Sequence, residues 1–195
     1  MANRSYIYAI KDSKPISLGE CPYFIPYAYM ILAAYENETI ESYLYDKLVG
    51  IRANFNRGKD ALIYLIDYLV ETKAMDDPEI FEEQVDATKK FIAKIDANFT
   101  LLENGEIYAL YQNKEGEYLD GPGLERVNSY ACEDYKWIGE DIEFIKKLKL
   151  TPLQFFNCKD EAFLKQYKWV FDLKSNWKKE FGLDSWRNIL YYQFE

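Results

Sequence analysis

The sequence predicts an α+β fold that is predominantly helical, with a small, mostly antiparallel sheet that includes both terminal strands. Aromatic and β-branched residues are concentrated at residues 5–10 and 189–194, as is typical of strands. Between these ends, apolar residues recur at spacings of three and four, as they do in amphipathic helices. The 195 residues, of which 49% are hydrophobic, suffice for one large core, and we therefore predict a single globular domain over residues 1–195.

After the opening strand we predict a loop, because Pro15, Gly19 and Pro22 interrupt any regular pattern. A helix is expected over residues 26–34, since the proline at its start suits a first helical position. A second helical stretch is predicted over residues 38–48, where apolar residues again step by three and four.

The middle of the chain predicts two long helices. Residues 57–72 are apolar nearly all round, which indicates a central helix that is buried on most sides. Asp77 and Pro78 suit the N-cap and the first position of the next helix. That helix carries the clearest amphipathic stripe in the chain, formed by Phe81, Val85, Thr88, Ile92, Ile95 and Phe99.

The pattern changes after residue 99. We predict a turn at residues 103–106, a strand at 107–111 and a short hairpin return at 117–119. The loop Gly121-Pro122-Gly123 follows. It matches no nucleotide-binding fingerprint, because it lacks both the GxGxxG spacing and the lysine of a P-loop.

Three further helices are predicted before the closing strand. The first opens at Gly139 or Asp141 and is short. A capping box that begins at Thr151 starts the second. The third extends over residues 160–181 and ends at Gly182, because glycine commonly terminates helices.

The chain contains no histidine, the side chain most used for proton transfer near neutral pH and the commonest metal ligand. This absence excludes Ser-His-Asp and Cys-His hydrolases and His-ligated zinc sites. Cys21, Cys132 and Cys158 are far apart and form no CxxC pair, which indicates reduced thiols and a cytoplasmic location. No motif predicts a metal or another cofactor.

The net charge of −9 argues against binding to nucleic acid or to an anionic membrane surface, both of which require a basic footprint. The longest nearly apolar run, residues 61–70, is about half a membrane span and contains Asp67. Two interpretations of the acidic charge stay open: it supports solubility, or it steers the protein toward a basic protein partner.

Paired carboxylates are the remaining route to acid–base catalysis. The acidic clusters are Asp76/Asp77, Glu133/Asp134 and Glu140/Asp141/Glu143. Positions at helix starts explain several of these residues as caps. We therefore expect no catalytic residue in the chain.

Aromatic residues crowd the first quarter of the sequence, and rings with one polar end are favoured at protein interfaces. We predict partner-binding roles for Tyr23, Tyr27, Tyr35 and Tyr43. The alternative for each is packing in the core with the hydroxyl at the surface.

The opening residues Met1-Ala2-Asn3-Arg4-Ser5-Tyr6-Ile7-Tyr8 resemble the start of a family of uncharacterised bacterial proteins that begin with MANRSYLY-like sequence. The likeness extends as a looser pattern to residues 25–27, 106–110 and 186–192. Some members of that family resemble immunity proteins of toxin systems. The resemblance implies a small, non-enzymatic cytoplasmic protein and carries over no site residue.

The leading hypothesis is thus a non-catalytic cytoplasmic binding protein, in its narrower form an immunity-like inhibitor that presents acidic and aromatic surface to a basic partner. Two alternatives stay open. One is a carboxylate-based, carbohydrate-active enzyme, which requires two carboxyl groups facing each other across a cleft. The other is a small-ligand binder with a tyrosine-lined pocket.

Overall fold

The computed structural model describes residues 3–108, 110 and 131–194. These ranges contain five strands: β1 (Arg4–Lys11), β2 (Lys14–Pro22), β3 (Glu38–Glu41), β4 (Val49–Asn54) and β5 (Phe99–Glu103). Their longer helices are α2 (Phe55–Thr72), α3 (Pro78–Ile92), α5 (Glu133–Leu148) and α8 (Lys168–Glu180). Their shorter helices are α1 (Tyr27–Leu32), α4 (Gly105–Tyr108), α6 (Pro152–Phe156) and α7 (Glu161–Gln166). The α+β prediction is confirmed.

The five strands form one sheet in the order β2-β1-β5-β4-β3, and every neighbouring pair is antiparallel. Asp12 and Ser13 connect β1 to β2 with positive φ angles of 48° and 64°, as a two-residue type I′ hairpin requires. The predicted loop over 14–22 is wrong, because this stretch is β2. Its prolines, Pro15 and Pro22, lie near the ends of an edge strand, where a missing N–H is tolerated.

The helix predicted over residues 38–48 is also wrong. Residues 38–41 form β3, which pairs with β4 so that Thr39 lies opposite Ile51, and a loop over residues 42–48 follows. The spacing of the apolar residues suits a helix, but pairing with a strand distant in sequence prevails here.

The helices α1 and α2 agree with the predictions to within a few residues. Pro26 is the N-cap of α1 rather than its first helical residue. The side chain of Asn54 caps α2 by accepting a hydrogen bond of 3.1 Å from the Arg57 N–H. Gly58 lies against Leu32, which lets the two helices approach closely.

The helix α3 begins at Pro78 as predicted but ends at Ile92, so the part of the predicted stripe beyond that residue is wrong. Phe99 instead starts β5, which pairs with β1 and β4. Asp77 occupies the N-cap position with a φ of 52° and makes no capping hydrogen bond through its side chain. That carboxylate forms an ion pair with Lys178.

The strand predicted at 107–111 is wrong over its described part, because Gly105–Tyr108 is the helix α4. The helix α5 begins at Glu133, several residues before the predicted start. The predicted hairpin return at 117–119 and the loop at 121–123 lie outside the described residues.

The capping box at Thr151 is confirmed. The Thr151 N–H donates to the Gln154 side chain at 2.9 Å, and the Thr151 hydroxyl accepts from the Gln154 N–H at 3.3 Å. The helix predicted over 160–181 is divided at Tyr167 into α7 and α8. Gly182 ends α8 with a φ of 79°, as glycine permits.

The predicted C-terminal strand is wrong. Residues 189–194, all of them described, form no strand, and the isolated bridge between Gly19 and Trp186 precedes them. Leu190, Tyr192 and Phe194 alternate toward one face of the sheet. The aromatic and β-branched residues of this segment predict a strand. The segment instead lies on the face of the sheet and makes no ladder with its strands.

The buried side chains form two clusters, one on each face of the sheet. The larger core joins Ile7 and Leu102 of the sheet to the helices. The smaller core consists of Tyr6, Tyr8, Leu101 and Leu190. Among the helices of the described ranges, none combines the length and apolar character needed to cross a membrane.

The contact between α1 and α2 provides a test of this packing. A Cβ atom at Gly58 would lie 2.6 Å from the Leu32 carbonyl oxygen and 2.8 Å from its Cα atom. We expect Gly58→Ala to lower the free energy of unfolding by about 2 kcal/mol, because backbone atoms cannot yield easily. Urea unfolding followed by circular dichroism measures this change.

Gly139→Ala is the matched control in α5, because a Cβ atom there would meet the Ala34 methyl group at 3.2 Å. Its effect should stay within about 1 kcal/mol, since alanine also favours the helix. Equal effects of the two substitutions would contradict the assigned close approach.

Candidate functional site: an aromatic groove on the sheet

The candidate site lies on the face of the sheet opposite the larger core, where the smaller core of the described residues contains no side chain from a helix. Successive side chains of a strand point to opposite faces, so Ile7 and Leu102 reach the larger core while Tyr6, Tyr8 and Leu101 point the other way. The loop 42–48 and the segment 189–194 cover part of this second face through Leu44, Tyr45, Leu190 and Phe194.

A groove of about 530 Å³ lies on the same face, beside these residues. Three aromatic rings define it: Tyr43 from the loop, Phe99 from β5 and Phe194 from the segment. Tyr43 is 64% exposed and Phe99 is 42% exposed. We call this feature the aromatic groove; its other lining residues are Ile10, Asp12, Ser13, Pro15, Arg52, Asn98 and Leu101. Its volume falls in the range of roughly 300–1,000 Å³ that is usual for binding pockets.

A cation already lies on one ring of the groove. The Arg52 guanidinium is 5.2 Å from the centroid of the Phe99 ring, and its Nε donates a hydrogen bond of 2.6 Å to Glu38. The face of an aromatic ring attracts cations at such distances. The groove therefore combines apolar ring surface with a geometry that accepts guanidinium groups.

Glu103 positions the loop that carries Tyr43. This carboxylate is fully buried and accepts hydrogen bonds from the Ser42 hydroxyl at 2.6 Å and from the Tyr43 N–H at 2.8 Å. Gly50 lies opposite, and a Cβ atom there would be 3.1 Å from Glu103 Oε1, so glycine leaves the carboxylate its space. Burial raises the pKa of Glu103, although these two hydrogen bonds oppose the increase.

The structure does not bring the four predicted tyrosines together. Tyr43 lines the groove, whereas Tyr23 is 67% exposed just beyond β2. Tyr27 is half-buried, with its ring 5.3 Å from that of Trp169. Tyr35 is buried between α1 and α5. Their partner-binding roles stay predictions, and the geometry favours Tyr43 among them.

Tyr35 lines a second cleft, of about 400 Å³, between the end of α1 and α5. Its hydroxyl lies 3.2 Å from the Glu143 carboxylate, and Glu36 pairs with Arg57 at 2.8 Å on the same cleft. Hydrogen bonds from Arg57 and from Lys146 lower the pKa of Glu36 and of Glu143 respectively. Both groups therefore stay ionised at neutral pH, which does not suit a general acid.

The remaining acidic clusters have structural partners. The Trp169 indole donates to Asp141 at 2.9 Å, and the Tyr108 hydroxyl lies 3.4 Å from Asp134. Burial raises the pKa of both aspartates. Among the described residues, no three Cys, Asp or Glu side chains are grouped as metal ligands would be. The carboxylate-enzyme alternative stays a prediction.

The three cysteines are free thiols, as the sequence predicts. Cys21 is buried, and this burial raises its pKa to about 12. A thiol of this kind is not a nucleophile at neutral pH.

Of the residues that line the groove, only Tyr43 is proposed from the sequence. The sequence patterns place Phe99 in a helical stripe, Glu103 in a turn and Phe194 in a strand. Phe99-Thr100-Leu101-Leu102-Glu103 shows no alternation of apolar and polar residues, because Leu101 and Leu102 pack into the cores on opposite faces of the sheet. The helical stripe that ends at the same phenylalanine favours a helix instead.

Comparison with known proteins places the chain in a family. The sequence model of a domain of unknown function, DUF7822, matches residues 7–145. The chain belongs to this family. The part matched to DUF7822 includes Tyr43, Phe99 and Glu103 of the site and leaves out Phe194. No curated protein matches the chain, and no solved structure does.

The buried carboxylate of Glu103 predicts a pH dependence of stability. Because the pKa of Glu103 is raised in the folded state, its ionisation costs stability as pH rises from about 4.3, the ordinary glutamate value, through that raised pKa. Glu103→Gln keeps an acceptor for Tyr43 and removes this cost. We therefore expect the variant to gain stability relative to the wild type over that interval, as measured by urea unfolding at a series of pH values.

Glu36→Gln is the control of opposite sign. The pKa of Glu36 is lowered by Arg57, so its ionised form contributes stability that is lost as pH falls below about 4.3. This variant should lose stability relative to the wild type as pH rises toward that value. Matching slopes for the two variants would be incompatible with a buried, raised Glu103.

Proposed function

We propose that this protein is a non-catalytic cytoplasmic binding protein whose aromatic groove docks a basic segment of a partner protein. The observation that carries the proposal is the exposure of two rings, Tyr43 and Phe99, around a groove on the sheet face opposite the larger core. Exposed aromatic side chains that frame a concave surface are typical anchors of protein interfaces.

The preference for a basic partner is supported by the groove's own chemistry. Arg52 stacks on Phe99 in the manner that an arginine or lysine of a partner would use on Tyr43. Asp12 adds a carboxylate to the rim. The net charge of −9 accelerates the approach of a positively charged protein, and added salt weakens this steering.

The narrower form of the proposal is an immunity-like inhibitor that blocks a toxin. Its support is the resemblance of residues 1–8 to a family in which some members look like immunity proteins. Co-expression with a toxin encoded beside this chain tests it directly. Protection of growth should require the groove, and protection by a groove variant would contradict it.

Binding in the groove predicts the effect of the double substitution Tyr43→Ala/Phe99→Ala. Both rings are partly exposed, so the variant should fold while losing the anchors of the interface, at a cost of about 2 kcal/mol or more in binding. With the tagged full chain as bait in a native pull-down, we expect a basic protein on the wild type and at least about tenfold less on the variant.

Phe144→Ala is the matched control, because Phe144 is an exposed ring, 49% accessible, on α5 and outside the groove. It should capture the partner as the wild type does. Equal capture by the groove variant, or a partner that is acidic, would refute the proposal.

A further inference from the structure

Residues 189–194, which we call the closing segment, lie on the same sheet face as the aromatic groove. The Tyr192 ring contacts Tyr6 at 5.5 Å and Tyr45 at 5.9 Å between ring centroids. The Phe194 ring contacts Tyr8 at 4.8 Å and Tyr43 at 6.1 Å. All four are edge-to-face contacts, the geometry that aromatic pairs prefer.

Alternate side chains of the closing segment differ in their exposure to solvent. Leu190 is buried, and the rings of Tyr192 and Phe194 point to the sheet. Ile189 and Tyr191, on the other side, are 77% and 57% exposed. The segment bends at residues 191–192 and holds its place through side chains two residues apart.

Side chains supply partners for the backbone of the segment. The Tyr8 hydroxyl donates to the Tyr192 carbonyl at 3.0 Å, the Gln193 side chain donates to the Leu190 carbonyl at 2.8 Å, and the Tyr191 N–H donates to the Glu20 carboxylate at 2.8 Å. The described segment joins no strand ladder. Such a segment opens more readily than the strands beneath it, because stability is lowest where ladder bonds are missing.

We infer that this sheet face is a recognition surface for segments with aromatic side chains two residues apart, and that the closing segment occupies it until a partner segment displaces it. This inference rests on the proposed function and adds aromatic side chains to the basic segment of the partner. Phe194 lines the groove, so its displacement extends the groove to Tyr6 and Tyr8. The closing segment shows which side chains the surface accepts.

Tethering favours a partner that carries both rings. A segment linked to its own binding surface acts at an effective concentration of roughly millimolar, and a partner segment has to offset this advantage. Each aromatic pair contributes about 0.5–1.5 kcal/mol beyond the area it buries, so a partner with two rings competes better than a partner with one.

The test uses a fluorescein-labelled peptide with the sequence of residues 188–194 and three versions of the 195-residue chain: wild type, Tyr192→Ala/Phe194→Ala and Ile189→Ala. We expect the peptide to bind the double variant at least about tenfold more tightly than the wild type, because the weakened segment no longer competes. Fluorescence polarisation measures this binding. Ile189→Ala should behave as the wild type does, because Ile189 points to solvent.

A peptide with alanine at the positions of Tyr192 and Phe194 is the ligand control and should not bind the double variant. The inference is overturned if the double variant binds the peptide no better than the wild type does, or if it binds the alanine peptide equally well. Phe194→Leu keeps an apolar side chain and replaces the double variant if circular dichroism shows that the latter is unfolded. The same comparison with the wild type then applies.

Hydrogen exchange on the unaltered chain gives a measurement that needs no variant. Amides of residues 191–194 should exchange at least about tenfold faster than those of β1. Equal protection of the two sets of amides would overturn the inference that the closing segment can be displaced. Peptide binding without a natural partner in the pull-down would refute the proposed function alone, whereas capture of a partner without peptide binding would refute this inference alone.

Discussion

The pairing of β5 with β1 on one side and β4 on the other is the interaction on which both cores and the groove depend. The side chains of the five residues of β5 point alternately to the two faces of the sheet. Leu102 packs toward the helices, and Leu101 packs toward the smaller core. On that second face the same strand supplies Phe99 to the groove and Glu103 to the loop 42–48. A shift of one residue in its register would exchange the two faces and remove the site and the smaller core together. The position of the groove is therefore a consequence of strand register.

The parts of the fold that could be predicted from the sequence are those decided within a few neighbouring residues. The capping box at Thr151, the stop at Gly182 and the apolar helix α2 need no distant partner. The strands β2 and β3 and the closing segment depend instead on what lies beside them. Their residues carry turn signals, helical spacing or strand-like alternation, and contacts with residues distant in sequence decide the structure instead. The site was harder still to predict, because its three rings come from residues 43, 99 and 194.

The chain has no histidine and many tyrosines, and tyrosines are among the titratable groups buried on this sheet face. Burial raises the pKa of Tyr6 to about 12 and also raises the pKa of Tyr8. These phenols stay neutral under ordinary conditions, so they serve as rigid rings with one hydrogen-bonding end. Glu103 also has a positioning role, because its carboxylate holds the loop 42–48 in place by accepting two hydrogen bonds. The polar groups of this face therefore hold neighbouring rings and a loop in position.

Phe194 belongs to both the smaller core and the aromatic groove, because its ring packs against the core and forms one wall of the groove. Tyr43 and Phe99 lie on the loop and the strand, which keep their positions through Glu103 and the ladder of β5. The DUF7822 match covers these two rings and stops before Phe194. A segment that leaves such a site removes one wall and preserves the other two. The open state is thus a longer groove whose remaining rings keep their places, and the tyrosines under the closing segment become contact surface without any change in the sheet.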